Sequence, residues 1–235
     1  MENPKTTQPE AVLFDAYGTL FDVYSVGLLA EQLFAGKGEA LALLWRDKQI
    51  DYTRLVSMSG RYQPFWDLTR AGLQFAALKL GLTLDRVAED RLMGQYRQLS
   101  AFAESREVLQ ALRDRGVRAG ILSNGDPEML AAAIHSAGLA DLIDPVLSAD
   151  KVKRFKTDPA VYQLGPDALG LPARKILFVS SNGWDAIGAT WFGYTTLWIN
   201  RAGAPLEQLA TEPTRSAQNL QAVLDFFPAV RSRSV

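Results

Sequence analysis

Three short apolar runs in this chain each stop abruptly at a cluster of polar residues, and that repeated stop restricts the fold more than any other feature. AVLF at residues 11–14 ends at Asp15, AGIL at 119–122 ends at Ser123 and Asn124, and KILFV at 175–179 ends at Ser180, Ser181 and Asn182. Each run reads as a buried strand that delivers polar residues into a turn. Helical patterns at 105–115, 127–137 and 158–169, and another starting at Trp184, alternate with the strands at 117–122, near 145–147, 175–179 and 194–199. A final helix is expected over 216–227. Such alternation predicts an α/β fold, a Rossmann-like parallel sheet with crossover helices, in which all three polar clusters converge on one edge.

Between Val23 and Leu99 the texture changes to helical periodicity alone, in the segments LLAEQLF, EALALLWRDKQIDYTRL, FWDLTRAGLQFAALKLG and DRVAEDRLMGQYRQL. This predicts an inserted helical bundle. Residues 1–22 and 100–235 then form the core and residues 23–99 a helical cap, a division that 235 residues accommodate. The cleft between the two parts is the default site.

Several function classes fall away on composition. A formal net charge of -1 provides no field for nucleic acid or an anionic membrane. The chain has no cysteine, which removes thiolate nucleophiles and Cys-ligated zinc. Its single histidine, His135, lies on the helical pattern AAAIHSAG and reads as a surface residue, so a Ser-His-Asp triad is excluded. Residues 1–10 are polar, lack the apolar run of a signal peptide and read as a loose tail on a cytoplasmic protein. No apolar stretch approaches the roughly 20 residues of a bilayer span.

The ordered set Asp15-Ala16-Tyr17-Gly18-Thr19, Ser123-Asn124-Gly125, Lys156 and Ser180-Ser181-Asn182-Gly183-Trp184-Asp185 resembles the haloacid dehalogenase superfamily. Within it, DAYGTLFDV, the pair Trp45-Arg46 with KQIDYT following, and SSNGWDA are similar to the L-2-haloacid dehalogenases, over nearly the whole chain after the N-terminal tail. The resemblance implies a metal-independent hydrolase without cofactor, acting on a small 2-haloacid with release of halide, and a homodimer. It implies Asp15 as nucleophile, Lys156 as its counter-cation and Arg46 facing substrate and departing halide from the cap. It further implies Asp185, positioned with Asn182 and Ser180, as the group that activates water, Thr19 as a support for Asp15, and Tyr162 as a support for Lys156. Ala16, Tyr17, Ser123 and Asn124 correspond to positions that bind the substrate carboxylate, while Phe65 and Trp184 are expected as apolar walls.

The chemistry of the leaving group separates this reading from the alternative, a phosphatase on the same core. A phosphomonoester expels an alkoxide that needs a proton, and phosphatase relatives place an acid two residues after the nucleophile; here that residue is Tyr17. Halide leaves unprotonated. Phosphatase relatives also hold Mg²⁺ with an Asp where Ser181 stands, so no catalytic metal is expected. Two departures from the family stand out: Thr157 follows Lys156 where proline is common, and Asp47 replaces a frequent Gln beside Arg46, with which it is expected to pair.

Overall fold

The structure is a computed structural model and describes residues 8–228. Its strands are β1 (Ala11–Phe14), β2 (Arg118–Ser123), β3 (Val146–Ser148), β4 (Ile176–Ser180), β5 (Thr195–Ile199) and β6 (Arg215–Ala217). They form one sheet in the order β3-β2-β1-β4-β5-β6, with every neighbouring pair parallel. Every residue of β1 and of β4 is buried. Successive side chains point to opposite faces, so the sheet is covered on both sides.

Strand order reverses between β1 and β4, which places a crevice beyond their carboxyl ends. Phe14 is in register with both Ile121 and Val179, so Asp15 leaves β1 at the level of Leu122 and Ser180, one residue short of Ser123. The crossover helices are α5 (Ser105–Asp114), α6 (Pro127–Ser136), α7 (Pro159–Leu169) and α8 (Gly183–Phe192). Both α6 and α7 start with proline, whose missing N–H would be unpaired there in any case. Asp158 caps α7 by accepting from the Ala160 N–H.

Four α-helices lie in the segment between β1 and α5: α1 (Val26–Leu33), α2 (Gly38–Ser59), α3 (Phe65–Lys79) and α4 (Arg86–Tyr96). Trp45, Leu41, Leu73, Ala76 and Leu92 form its apolar interior. Gly72 lets α3 lie directly on α2, since a Cβ there would stand 3.2 Å from the Gln49 nitrogen and 3.3 Å from the Trp45 carbonyl. The two chain crossings into this segment run side by side, with the Asp22 N–H donating to the Ser100 carbonyl at 2.8 Å and the Phe102 N–H to the Leu20 carbonyl at 3.0 Å.

Most elements begin and end within about a residue of their predicted bounds, the usual scatter at helix and strand termini. The C-terminal expectation is overturned. Instead of a helix over 216–227, Arg215–Ala217 joins the sheet and Leu220–Phe226 forms a 3-10 helix. The edge of β5 offers unpaired backbone groups, which β6 satisfies by pairing Ser216 with Trp198. Asn219 then starts the 3-10 turn by accepting from the Gln221 N–H. No helix among the described residues is long and apolar enough to cross a membrane. The expectation for residues 1–10 lies mostly outside the described residues.

Candidate active site

β1 carries Asp15 to the crevice, fixing its backbone by an N–H bond to the Val179 carbonyl at 2.8 Å. The chain then turns through Gly18 at φ +92°, a conformation open to glycine but strained for other residues. The Ala16 carbonyl accepts from the N–H groups of Thr19, Leu20 and Phe21, which folds the loop back on itself. Thr19 Oγ1 consequently donates to Asp15 Oδ2 at 3.2 Å and accepts from the Ser181 N–H at 2.8 Å. Asn182 Nδ2 donates to the same Asp15 Oδ2 at 2.9 Å, while its backbone N–H is held by Ser180 Oγ at 3.1 Å.

The other oxygen, Asp15 Oδ1, accepts from Lys156 Nζ at 2.9 Å, and the same ammonium donates to Asp185 Oδ2 at 2.8 Å. All three side chains are buried. Burial by itself would pull the Lys156 pKa down, but the two carboxylates outweigh it and the net shift is upward. Burial pushes the Asp185 carboxyl up, reinforced by the nearby Asp15 and opposed by Lys156. Tyr162 donates to Asp185 Oδ1 at 2.8 Å, so its support for the lysine runs through Asp185. Lys156 is also anchored through its backbone N–H to Asn124 Oδ1 at 2.9 Å. The peptide between Lys156 and Thr157 is cis.

A second cation reaches the site from the cap. Arg46 on α2 is buried, with Nη2 3.2 Å from the Tyr17 carbonyl and 3.3 Å from Asn182 Oδ1. Its Nη1 donates to Gln49 Oε1 at 2.7 Å. The expected pairing of Arg46 with Asp47 is overturned: Asp47 is exposed, because the residue next in line on a helix points about 100° away and Gln49, three on, shares the arginine's face.

An aromatic wall closes another side. Tyr17 stacks on Phe65 with ring centroids 5.6 Å apart and lies 5.9 Å from the Tyr96 ring. Burial first, and then Tyr96 and Asp126, push the Tyr17 phenol well above its ordinary range. Gly125 makes room for this ring, since a Cβ there would come within 2.7 Å of Tyr17 Cε2. Trp184 is half-buried and faces the Arg54 guanidinium of α2 at 5.1 Å. Ser123 is buried with its Oγ accepting from the Gly125 N–H, and so shapes the loop after β2. His135 is exposed, as expected.

The structure therefore gathers Asp15, Thr19, Arg46, Lys156, Ser180, Asn182, Tyr162 and Asp185 into one hydrogen-bonded cluster. Four participants were not anticipated from sequence, among them Tyr96, whose hydroxyl donates to Gln49 Oε1 at 3.1 Å. Gln49 has a local signal, its three-residue spacing from Arg46; Thr69, which accepts from Gln49 Nε2 at 2.6 Å, has none. Asp126 follows Ser123-Asn124-Gly125 directly, and its two carboxylate oxygens accept the Phe65 and Trp66 N–H groups at 2.9 and 2.7 Å. It thus seats the first turn of α3, with its Phe65 wall, onto the core. A cavity of about 470 Å³ lies between cap and core, lined by Gly18, Tyr24, Arg46, Phe102, Asn182 and Trp198. Among the described residues, no three His, Cys, Asp or Glu side chains are grouped as a metal site requires.

Known proteins share this arrangement of sequence and fold. The family described as haloacid dehalogenase-like hydrolase matches residues 9–193. The (S)-2-haloacid dehalogenase of Pseudomonas sp. (strain YL) is 42% identical over 225 residues, 96% of this chain and 97% of that protein. The crystal structure of an L-2-haloacid dehalogenase aligns with a TM-score of 0.92 at 56% identity, over 94% of this chain and 99% of that one. The L-2-haloacid dehalogenase from Xanthobacter autotrophicus, solved with chloropropionic acid covalently bound, aligns with a TM-score of 0.85 at 34% identity, over 92% of this chain and 96% of that one.

Proposed function

Because the chain belongs to the haloacid dehalogenase-like hydrolases, we propose that it hydrolyses the carbon–halogen bond of small (S)-2-haloacids and releases (R)-2-hydroxy acids. The observation that carries this proposal is the pairing of Asp15 Oδ1 with a buried Lys156 ammonium at 2.9 Å, beneath a cap-borne Arg46 and without a proton donor at position 17. Lysine here occupies the place between the Asp15 and Asp185 carboxylates that a bridging cation would need. Tyr17, with its phenol pushed far up by burial, is a poor acid for an alkoxide leaving group. A halide needs none.

In the first step an Asp15 oxygen attacks C2 from the face opposite the halogen; the new C–O bond forms as the carbon–halogen bond breaks, and halide departs toward Arg46. Asn182 and Thr19 hold Oδ2 and Lys156 holds Oδ1, so the carboxylate meets the substrate already oriented. In the second step water adds to the Asp15 carboxyl carbon and the bond from that carbon to the ester oxygen breaks; one proton of the water ends on the departing oxygen, which becomes the hydroxyl of the product, and the other is released. Asp185, made more basic by burial, receives that proton, while Lys156 stabilises the oxyanion that forms on Asp15. The covalently bound chloropropionic acid in the Xanthobacter relative supports an ester route. The substrate carboxylate is bound by the loops carrying Ala16, Tyr17, Ser123 and Asn124, with Phe65 and Trp184 against its carbon chain. The enzyme works without metal or cofactor as a cytoplasmic homodimer; the apolar Leu28, Leu43, Leu55 and Leu78 exposed on the cap support the pairing of copies.

Halide release from both enantiomers of 2-chloropropionate, with and without a chelator, tests the assignment. Turnover of the S form alone, unchanged by chelation, is expected; turnover only of phosphomonoesters with Mg²⁺ would overturn it in favour of the phosphatase alternative. A single turnover in ¹⁸O water tests the ester, with label expected in the Asp15 side chain and not in the first product.

A further inference from the structure

Arg46 reaches the site from a helix of the cap, and its guanidinium has one edge toward the core and one toward Gln49. Gln49 is fully buried and makes three hydrogen bonds: it accepts from Arg46 Nη1 at 2.7 Å and from the Tyr96 hydroxyl at 3.1 Å, and donates to Thr69 Oγ1 at 2.6 Å. Thr69 has one hydroxyl proton, and it goes to the Phe65 carbonyl at 2.7 Å. Toward Gln49, then, Thr69 accepts only, so the amide nitrogen faces Thr69 and the amide oxygen faces Arg46. The opposite orientation would set an amide N–H against a guanidinium N–H. Both lone pairs of Oε1 are taken by Arg46 and Tyr96, and the side chain is fully buried, so its oxygen is not open to a substrate.

We propose that Gln49 is a positioning residue for Arg46, whose neutral, locked amide aims the guanidinium at the departing halide while leaving its positive charge uncompensated on the cap side. This rests on the dehalogenase assignment above. A carboxylate at the same place would accept the same hydrogen bonds but would spend the guanidinium charge on an internal ion pair. An amide fixes direction without that competition, which matters in a buried site where charge is poorly screened. Gly72 is part of the device, because the close approach of α3 to α2 is what brings Thr69 within reach of Gln49.

The test uses kcat/KM for (S)-2-chloropropionate and (S)-2-bromopropionate, since kcat/KM reports the steps up to carbon–halogen cleavage even where ester hydrolysis limits kcat. Chloride is the poorer leaving group and depends more on Arg46. Gln49→Glu, nearly isosteric, should raise the bromo/chloro ratio by about tenfold over wild type, equivalent to ~1.4 kcal/mol of selective transition-state stabilisation. Gln49→Met, which keeps volume and loses the acceptor, should raise it by a smaller factor. Tyr96→Phe, which removes one bond that locks Gln49 but leaves the Gln49–Arg46 bond in place, should raise it by less than either Gln49 variant. A general loosening of the cap would lower both rates alike, so a uniform fall in either Gln49 variant overturns the proposal, as does wild-type kinetics. Absence of halide release by the wild-type protein would overturn the dehalogenase assignment, and this inference with it.

Discussion

The two halves of the site solve the burial of charge in opposite ways. In the core, charge is met by charge: Lys156 lies between Asp15 and Asp185, and Tyr162 and Asn182 satisfy remaining carboxylate oxygens. In the cap, Arg46 is met by neutral acceptors only, the Gln49 amide, the Tyr17 carbonyl and the Asn182 side-chain oxygen. On the proposed mechanism, the core cluster, already ion-paired in the resting enzyme, holds Asp15 ready as nucleophile. An uncompensated cation is available to charge that appears during the reaction. Under the proposed function, the difference means that one cation serves the ground state and the other the transition state.

Variants on each side should break this contrast to different depths. Asp15→Asn removes the proposed nucleophile while keeping its shape, and halide release should fall by roughly 10⁴-fold or more, read by ion chromatography. Lys156→Met leaves two buried carboxylates facing one another, so it should abolish turnover and also cost about 3–5 kcal/mol of stability in urea unfolding. Arg46→Lys should act on rate and spare the fold, lowering kcat/KM by about 10²-fold with a nearly unchanged melting temperature. If Arg46→Lys destabilised the protein as much as Lys156→Met does, the contrast would fail.

The pH dependence sharpens the same contrast. The folded-state pKa of Lys156 is raised, with burial opposed and outweighed by Asp15 and Asp185. Its stabilising contribution is thus fully present below the usual lysine value of about 10.4 and is lost as pH rises through the higher folded value. The stability gap between wild type and Lys156→Met should therefore stay flat from neutral pH to that range and narrow above it. Asp126→Asn is expected to have the smallest effect, about 1–2 kcal/mol in thermal unfolding, from loss of one of two bonds to α3. Burial raises the Asp126 pKa against the pull of the Trp66 and Phe65 N–H groups, so the wild-type advantage should be greatest in acid and shrink as pH rises through the raised value.

Legibility followed the same division. The core's strands could be read because AVLF and KILFV are short and uniformly apolar and stop at polar residues, and a parallel sheet must bring such stops together. The segment 215–226 could not, because pairing at the β5 edge outweighed a local helical pattern. In the cap, Arg46 was visible only through resemblance to known enzymes. Gln49 carried a weak spacing signal, and Thr69 and Asp126 carried none, since their partners lie 20 and 60 residues away along the chain.

By itself the sequence determined the alternating sheet architecture, the inserted helices and the residue types at each strand end, because burial and periodicity act over a few residues at a time. Only the tertiary structure decided which oxygen of Asp15 meets Lys156, that Asp47 points away from Arg46, and that the Gln49 amide, held by a threonine on the next helix, turns its oxygen to the arginine. Those are questions of hydrogen-bond direction between groups far apart in sequence, and direction exists only once the helices have packed.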